Sequence, residues 1–371
     1  MKIMHIGDLH IGRTINQHVL LEDQKELLDQ IIHQVDKEQI DVLVIAGDIY
    51  DRSIPSKEAM QLYEAFILQI NMTRQIPVLA VSGNHDGAER LGHAKSYFRQ
   101  HHYYLSTALD DCFTPVTIEN TCFYLVPYIE PASARIYFDD ETIRTHHDTY
   151  QAIIQRIEQQ LDYTYCNILV SHLFVAGGEV TDSERDLVVG TIENVPKALF
   201  SAFDYTMLGH LHTPDAIKDD KVYYSGSIMR YSFNEVGQRK GYRIFDTEEK
   251  TVTFQPLKAK RDLEVGKGTF EDAMHLRLNV NQDAYLKLEL SEMEAVNDPM
   301  TKLKTIYPYL LELKPILQSV EHEVVSKDVT TLSPIALIQS FYEEMTDETL
   351  DNEQMEVLHE MLNEGSVDDE A

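Results

Sequence analysis

Tryptophan is absent from this chain, and cysteine occurs only three times, as Cys112, Cys122 and Cys166. No two cysteines are spaced as CxxC, so the thiols provide neither a thiolate zinc site nor a disulfide framework. They read as reduced core residues in a reducing compartment, the cytoplasm. Long apolar runs are lacking too. No stretch approaches the ~20 consecutive apolar residues that span a bilayer, and no basic segment leads into an apolar run with a cleavage site. A soluble, unexported protein without membrane contact is expected. Basic residues are scarce: 32 Lys and Arg stand against 62 Asp and Glu, a net charge of −30. That balance disfavours a polyanionic partner, so any contact with nucleic acid requires local basic patches, divalent cations or a basic partner subunit. The charge is also uneven. Residues 341–371 hold 12 acidic side chains and no Lys or Arg, so this tail supplies 12 of the 30 excess negatives.

What the chain does contain is an alternation of strands and helices. At 371 residues it exceeds one ordinary core, so a large domain with smaller additions is expected. KIMHIGD opens as a strand, and residues 20–38 carry Leu27, Leu28, Ile31, Ile32 and Val35 at helical spacing. DVLVIAGD (41–48) is a nearly continuous apolar strand, the kind buried on both faces. A helix is predicted over 55–70, a strand over 76–86 and a helix over 88–100. FTPVTI and TCFYLVPY read as a hairpin. A helix over 148–161 precedes strands in NILVSHLF (167–174) and DYTMLGHLH (204–212), then KVYYSGS, GYRIFD and KTVTFQPL. The pattern is an α/β sandwich with an antiparallel portion late in the domain. Beyond residue 260 short strands such as YLKLEL and a helix near 300–312 suggest a small α+β domain. Two amphipathic helices follow, the first opening on Ser333 and Pro334 as cap and first helical residue. The predicted division is 1–260, 261–332 and 333–371.

Polar residues recur at one place in strand after strand. Asp8 and His10 follow the first strand, Asp48 the second, Asn84 and His85 the third. His172 ends NILVSH, and His210 with His212 follow YTML. In an open α/β sheet the carboxyl ends of the strands face one crevice. Two carboxylates, one amide and five imidazoles are therefore delivered together. One Asp-x-His is common in structural settings; five ordered signals at successive strand ends are not. Oxygen and nitrogen donors without sulfur suit manganese, iron or zinc in a two-metal site. With so few carboxylates, Asp48 is the natural bridge. Residues 225–235 interleave Tyr, Phe and Arg, which suits either a substrate rim or core packing of Tyr231 and Phe233. Arg90, Lys95, Arg99, Arg230, Arg239 and Lys240 are open between DNA contacts and a solvated face. In the C-terminal helices, Ile335, Ile338, Phe341, Tyr342 and Met345 form one apolar stripe, and Met355, Leu358, Met361 and Leu362 another, more than two short helices bury alone.

The order D-x-H, GD-x-x-D, GNHD, H, GH-x-H resembles the calcineurin-like metallophosphoesterase superfamily over residues 8–212. GNHDGAERLGHA and YYSGSIMRYSFNE sharpen the likeness toward its SbcD-type nuclease subunits, over nearly the whole chain. The resemblance implies a four-layer β-sandwich flanked by helices, with a small α+β capping domain and a C-terminal helix pair. It implies two divalent ions, Mn2+ foremost, one at Asp8, His10, Asp48 and His212, the other at Asp48, Asn84, His172 and His210. His85 then faces the scissile phosphate as a catalytic residue beside Asp48. Asp51 and Asp86 are open between supporting these side chains and capping local turns. Arg52 is open between a salt bridge and a DNA-phosphate contact, because Ser53 replaces the glycine of related phosphatases. The implied activity is DNA phosphodiester hydrolysis, with an SbcC-type coiled-coil ATPase as partner and a homodimer within a heterotetramer. The alternatives are a stand-alone metallophosphodiesterase or phosphatase, and a non-catalytic scaffold tethering DNA ends.

Overall fold

The fold is given by a computed structural model, which describes residues 1–175, 194–293, 296–316, 333–346 and 349–364. The chain divides into two units, residues 1–316 and 317–371.

In chain order the first unit begins with β1 (Lys2–Ile6), a ribbon of β2 (Thr14–Ile15) and β3 (His18–Val19), α1 (Leu21–Glu38), β4 (Val42–Ala46) and α2 (Lys57–Ile67). β5 (Val78–Val81), α3 (Ala88–Leu91), α4 (Lys95–Arg99) and β6 (Tyr103–Ser106) follow. The second half runs through β7 (Val116–Ile118), β8 (Thr121–Val126), α5 (Pro131–Phe138), α6 (His146–Glu158), β9 (Cys166–His172), β10 (Tyr205–Gly209) and β11 (Val222–Tyr224). The chain then returns with β12 (Gly241–Asp246) and β13 (Thr251–Pro256). It ends in a small unit of β14 (Leu263–Thr269), α7 (Phe270–Met274), β15 (Tyr285–Ser291), α8 (Pro299–Lys304) and β16 (Leu310–Pro315).

Two sheets form the body, in the orders β13-β12-β1-β4-β5-β6 and β11-β10-β9-β8-β7. β1, β4, β5 and β6 are parallel, with β12 antiparallel on β1. β8 through β11 are likewise parallel, and β7 closes the edge as the expected hairpin. Side chains alternate across each strand, and that alternation builds the layers. Ile3, Val42, Val44, Ala46, Leu79 and Val81 from one sheet meet Phe123, Leu125, Ile168, Val170 and Met207 from the other in a buried seam. The intervening residues, Met4, Leu43, Ile45 and Ala80, pack outward beneath α1 and α2. On the other side Tyr124, Leu169 and Leu208 pack with Ile153, Ile154 and Ile157 of α6. Helix, sheet, sheet, helix is the four-layer sandwich expected from the sequence. The small sheet, in the order β14-β15-β16, has its own core around Leu286, Leu288 and Leu303. Tyr285 anchors it to α1, donating to Asp23 at 2.6 Å.

Several elements depart from expectation for identifiable reasons. The helix predicted over 88–100 is two short pieces, interrupted by Ala94 at φ 61°. The helix predicted over 300–312 stops at Lys304, because Pro308 disfavours the α conformation at Tyr307, and the chain turns into β16. β14 is hidden by its glycines, which weaken a strand pattern, and α5 opens on Pro131 after a strand end. In the second unit α9 (Pro334–Thr346) and α10 (Asn352–Glu364) form, with Gln339 contacting Met355 at 3.0 Å. Ile338, Phe341 and Met345 of the first stripe are exposed. The side chains of Met361 and Leu362, residues 317–332 and the acidic tail beyond 364 lie outside the described residues.

Candidate metal centre

The ends of β1, β4, β5, β9 and β10 face one edge of the sandwich, and the side chains singled out from the sequence meet there. Each chain segment bends sharply as it leaves its strand. Asp8, His10 and Asp48 have φ of 49°, 42° and 49°, and His210 has 104°, conformations uncommon outside glycine. The bends are locked together by backbone groups. Asp8 N–H donates to Gly47 O (3.1 Å) and His10 N–H to Asp48 O (2.9 Å). His210 N–H donates to Asp8 Oδ1 at 2.8 Å, tying β10 to β1. Gly47, at φ 86°, passes so near the site that a Cβ would lie 2.3 Å from His172 Nδ1.

The donor atoms fall into two overlapping groups. Asp8, His10 and His212 present atoms within 4.8 Å of one another, and so do Asp8, Asp48 and His172. His10 Nε2 and His212 Nε2 are 3.1 Å apart. His172 Nε2 lies 2.9 Å from Asn84 Oδ1, 3.3 Å from Asp48 Oδ2 and 3.3 Å from His210 Nδ1. Asn84 Oδ1 is also 3.1 Å from His210 Nδ1. Asp48 Oδ2 lies 3.6 Å from His10 Nε2 as well, so one carboxylate adjoins both groups. A third grouping, His10, Asp51 and His85, stands beside them.

Electrostatics make the site expectant of positive charge. Burial pushes the Asp8 carboxyl up to about 7. Burial works on Asp48 in the same direction, but His172 and His10 outweigh it and hold Asp48 well below its ordinary range. Burial pulls His172 down, yet Asp48 and Asp8 overcome it and raise the imidazole to about 9. Burial lowers His210 to about 3 and His10 well below its usual value. Asp8 Oδ2, His10 Nδ1 and His210 Nε2 are buried without a hydrogen-bond partner, a state that costs ~1–3 kcal/mol for each group. Oxygen and nitrogen donors of this kind fit a divalent cation.

The surrounding residues have separate tasks. His85 N–H donates to Asp48 Oδ1 at 2.9 Å, and its ring Nδ1 lies 2.9 Å from the carbonyl of Asp51. The Asp51 carboxylate accepts from Arg13 at 2.8 Å and lies 3.7 Å from His10 Nδ1. Asp86 accepts backbone N–H groups from Ile49, Tyr50 and Gly83, bracing the loops after β4 and β5. The Arg52 side chain is largely exposed, 3.6 Å from Asp51. Of the basic candidates, Lys240 is a correction. It is buried against Glu235 at 2.6 Å rather than on a solvated or DNA-facing surface. Arg230 and Arg239 pair with Asp262 and Asp215, and Lys95 with Asp111. Tyr231 and Phe233 pack in the core, which is the packing reading of residues 225–235 for these two side chains. Sequence reasoning passes over Glu235, whose Oε1 lies 3.0 Å from His212 Nδ1.

Comparison with known proteins gives two domain matches. Residues 1–214 match the calcineurin-like phosphoesterase family, and residues 259–346 match the SbcD-type domain described as the type 5 capsule protein repressor C-terminal domain. Among solved structures, TT1561 of Thermus thermophilus is similar at 11% identity and a TM-score of 0.40, over 69% of this chain and 99% of its own. A dimetal phosphatase from Danio rerio is similar at 14% identity and a TM-score of 0.41, over 66% of this chain and 91% of its own. Yfce, a phosphoesterase from E. coli, is similar at 14% identity and a TM-score of 0.31, over 68% of this chain and 96% of its own. Among the described residues no helix is long and apolar enough to cross a membrane. The chain belongs to the calcineurin-like phosphoesterase family of metal-dependent phosphoesterases, and carries an SbcD-type C-terminal domain behind the phosphoesterase domain.

Proposed function

We propose that the chain is the nuclease subunit of an SbcCD-type DNA repair and recombination complex. It hydrolyses phosphodiesters as a double-strand exonuclease and as an endonuclease on single strands and hairpins. The observation that supports this most strongly is the convergence of seven donor side chains in a phosphoesterase domain that precedes an SbcD-type domain. Asp8, His10, Asp48 and His212 would hold one Mn2+, and Asp48, Asn84, His172 and His210 the other. When bound, such ions polarise a phosphoryl oxygen and bring the pKa of a coordinated water toward neutrality. They also offset the −30 charge locally, which otherwise opposes a polyanionic substrate.

The chain's own contribution centres on His85. A carbonyl only accepts, so the Asp51 oxygen 2.9 Å away fixes the proton on Nδ1. Nε2 is then the ring atom free to serve the leaving sugar oxygen, and it gives that oxygen a proton when the ring enters the reaction as the doubly protonated imidazolium, returning to the Nδ1–H form. The Asp48 carboxylate, held by the His85 backbone N–H, keeps that imidazole registered against the ligand set. Residues 1–260 would form the nuclease domain and 261–332 a capping domain for DNA. Residues 333–371 would dock an SbcC-type ATPase, and a homodimer within a heterotetramer follows from the same reading.

The experiment is cleavage of end-labelled duplex DNA with Mn2+, comparing wild type with Asp48→Asn, alone and with the ATPase. Metal-dependent shortening that disappears in the variant is expected. Hydrolysis of a small phosphodiester with DNA left intact would favour a stand-alone phosphodiesterase. Retention of DNA without any hydrolysis would favour a tethering scaffold.

A further inference from the structure

His10, His172 and His212 present donor atoms of the same kind, yet the support behind His172 and His212 differs. His172 Nδ1 lies 2.8 Å from the backbone oxygen of Ala46, an uncharged acceptor. His212 Nδ1 lies 3.0 Å from Oε1 of Glu235, a fully buried carboxylate. The other oxygen of that carboxylate is held by Lys240 Nζ at 2.6 Å and by the backbone N–H of Tyr231 at 3.1 Å. The same Lys240 ammonium donates to the backbone oxygen of His212 at 2.8 Å and to Ser227 Oγ at 2.9 Å. Ser227 N–H donates to that His212 oxygen as well, at 3.1 Å. One lysine thus grips both the backbone of His212 and the carboxylate that meets its ring. Tyr231 sets its ring edge-on to His10 and to His212, with centroids 5.3 Å and 5.8 Å away.

We infer that Glu235, held in place by Lys240, is a positioning residue that selects the tautomer of His212 and charges the metal position shared with Asp8 and His10. This rests on the metal-site reading above. A carboxylate only accepts, so the His212 proton must sit on Nδ1, which leaves the Nε2 lone pair facing His10 Nε2, 3.1 Å away. A carboxylate behind an imidazole also makes the ring a stronger donor, and loss of such a partner typically weakens metal affinity ~10–100-fold. The position around His172, backed only by a carbonyl, gains no such charge. The two positions are therefore unequal by construction, and Glu235 is the carboxylate within hydrogen-bond distance that sets the His212 side apart, Asp51 lying farther from His10 Nδ1 at 3.7 Å.

The test is Mn2+ binding to the full chain by isothermal titration, for wild type, Glu235→Gln and the charge-balanced pair Glu235→Gln with Lys240→Met. Wild type is expected to bind two equivalents. In both variants one equivalent should weaken ~10–100-fold while the other stays within about threefold. Circular dichroism of each metal-free variant checks that it is folded. A second readout needs no variant: the histidine 15N–1H correlation spectrum of the metal-free wild type should show His212 protonated at Nδ1. Equal weakening of both equivalents, unchanged binding in the variants, or a His212 proton at Nε2 would overturn the inference. Absence of Mn2+ binding by folded wild type would overturn the metal-site reading itself, and this inference with it.

Discussion

Gly83 sits directly against Asp48: a Cβ on Gly83 would lie 2.1 Å from Asp48 Oδ1 and 2.4 Å from its backbone nitrogen. Two loops from neighbouring strands are therefore packed backbone to carboxylate, and the only residue that permits it is one without a side chain. Moving the carboxylate does not relieve the overlap, because the backbone nitrogen is also in the way. Gly83→Ala is expected to destabilise the chain by at least ~1–3 kcal/mol and to lose Mn2+ binding. Urea denaturation and metal titration measure the two effects.

His85 gives a contrasting variant. Its ring is held by the Asp51 carbonyl at 2.9 Å and stands edge-on to His10, with centroids 4.7 Å apart. The side chain is outside the seven-donor set, so His85→Asn should leave Mn2+ stoichiometry unchanged. Loss of a positioned proton donor typically lowers turnover by ~10²–10⁴-fold. Single-turnover cleavage at saturating Mn2+ checks this, and a rate within about twofold of wild type would rule out the proton-transfer role.

The parts of this fold that are legible in the sequence are those where one physical demand acts alone. Strands β1, β4, β5, β9 and β10 are buried and end in polar residues, so apolar runs stopping at Asp8, Asp48, Asn84, His172 and His210 announce both the core and the crevice. The helix after β5 reads as continuous because apolar spacing carries on across Ala94, whose left-handed backbone is a tertiary requirement. β14 escapes the pattern because Gly266 and Gly268 serve close packing, with a Cβ at either lying under 3 Å from leucine side chains. Glu235 and Lys240 are illegible for a deeper reason. Their significance lies in a contact with His212, more than twenty residues away in sequence, and charge alone signals a surface.

That buried pair also sets a stability prediction. Lys240 and Glu235 are both buried and 2.6 Å apart. Removing one partner of such a pair strands the other charge and typically costs ~3–5 kcal/mol. Lys240→Met should therefore unfold at much lower urea than wild type. Adding Glu235→Gln to Lys240→Met should recover most of the loss, since no buried charge is then left unpaired. If the single and paired variants were equally unstable, packing rather than charge would be the cause.

The start of α6 offers a check on the sandwich itself. Thr145 Oγ1 accepts from the Asp148 N–H at 3.1 Å, and Asp148 Oδ2 accepts in return from the backbone N–H groups of Arg144 and Thr145, each at 3.0 Å. This reciprocal cap satisfies donors that the helix start leaves open. Thr145→Ala is expected to cost ~1 kcal/mol. The hydrogen bond from Arg144 leads the interactions that hold Asp148 below the ordinary carboxylate range. A depressed folded-state pKa contributes stability above the unfolded value, ~3.9 for Asp, and loses it as pH falls through the folded value. The stability difference between wild type and Asp148→Asn should thus be constant near neutrality and shrink as the pH drops below ~4. Urea melts of the two proteins at about pH 7, 5 and 3 read this directly, and a difference that grows on acidification would mean the carboxylate is not the capping form.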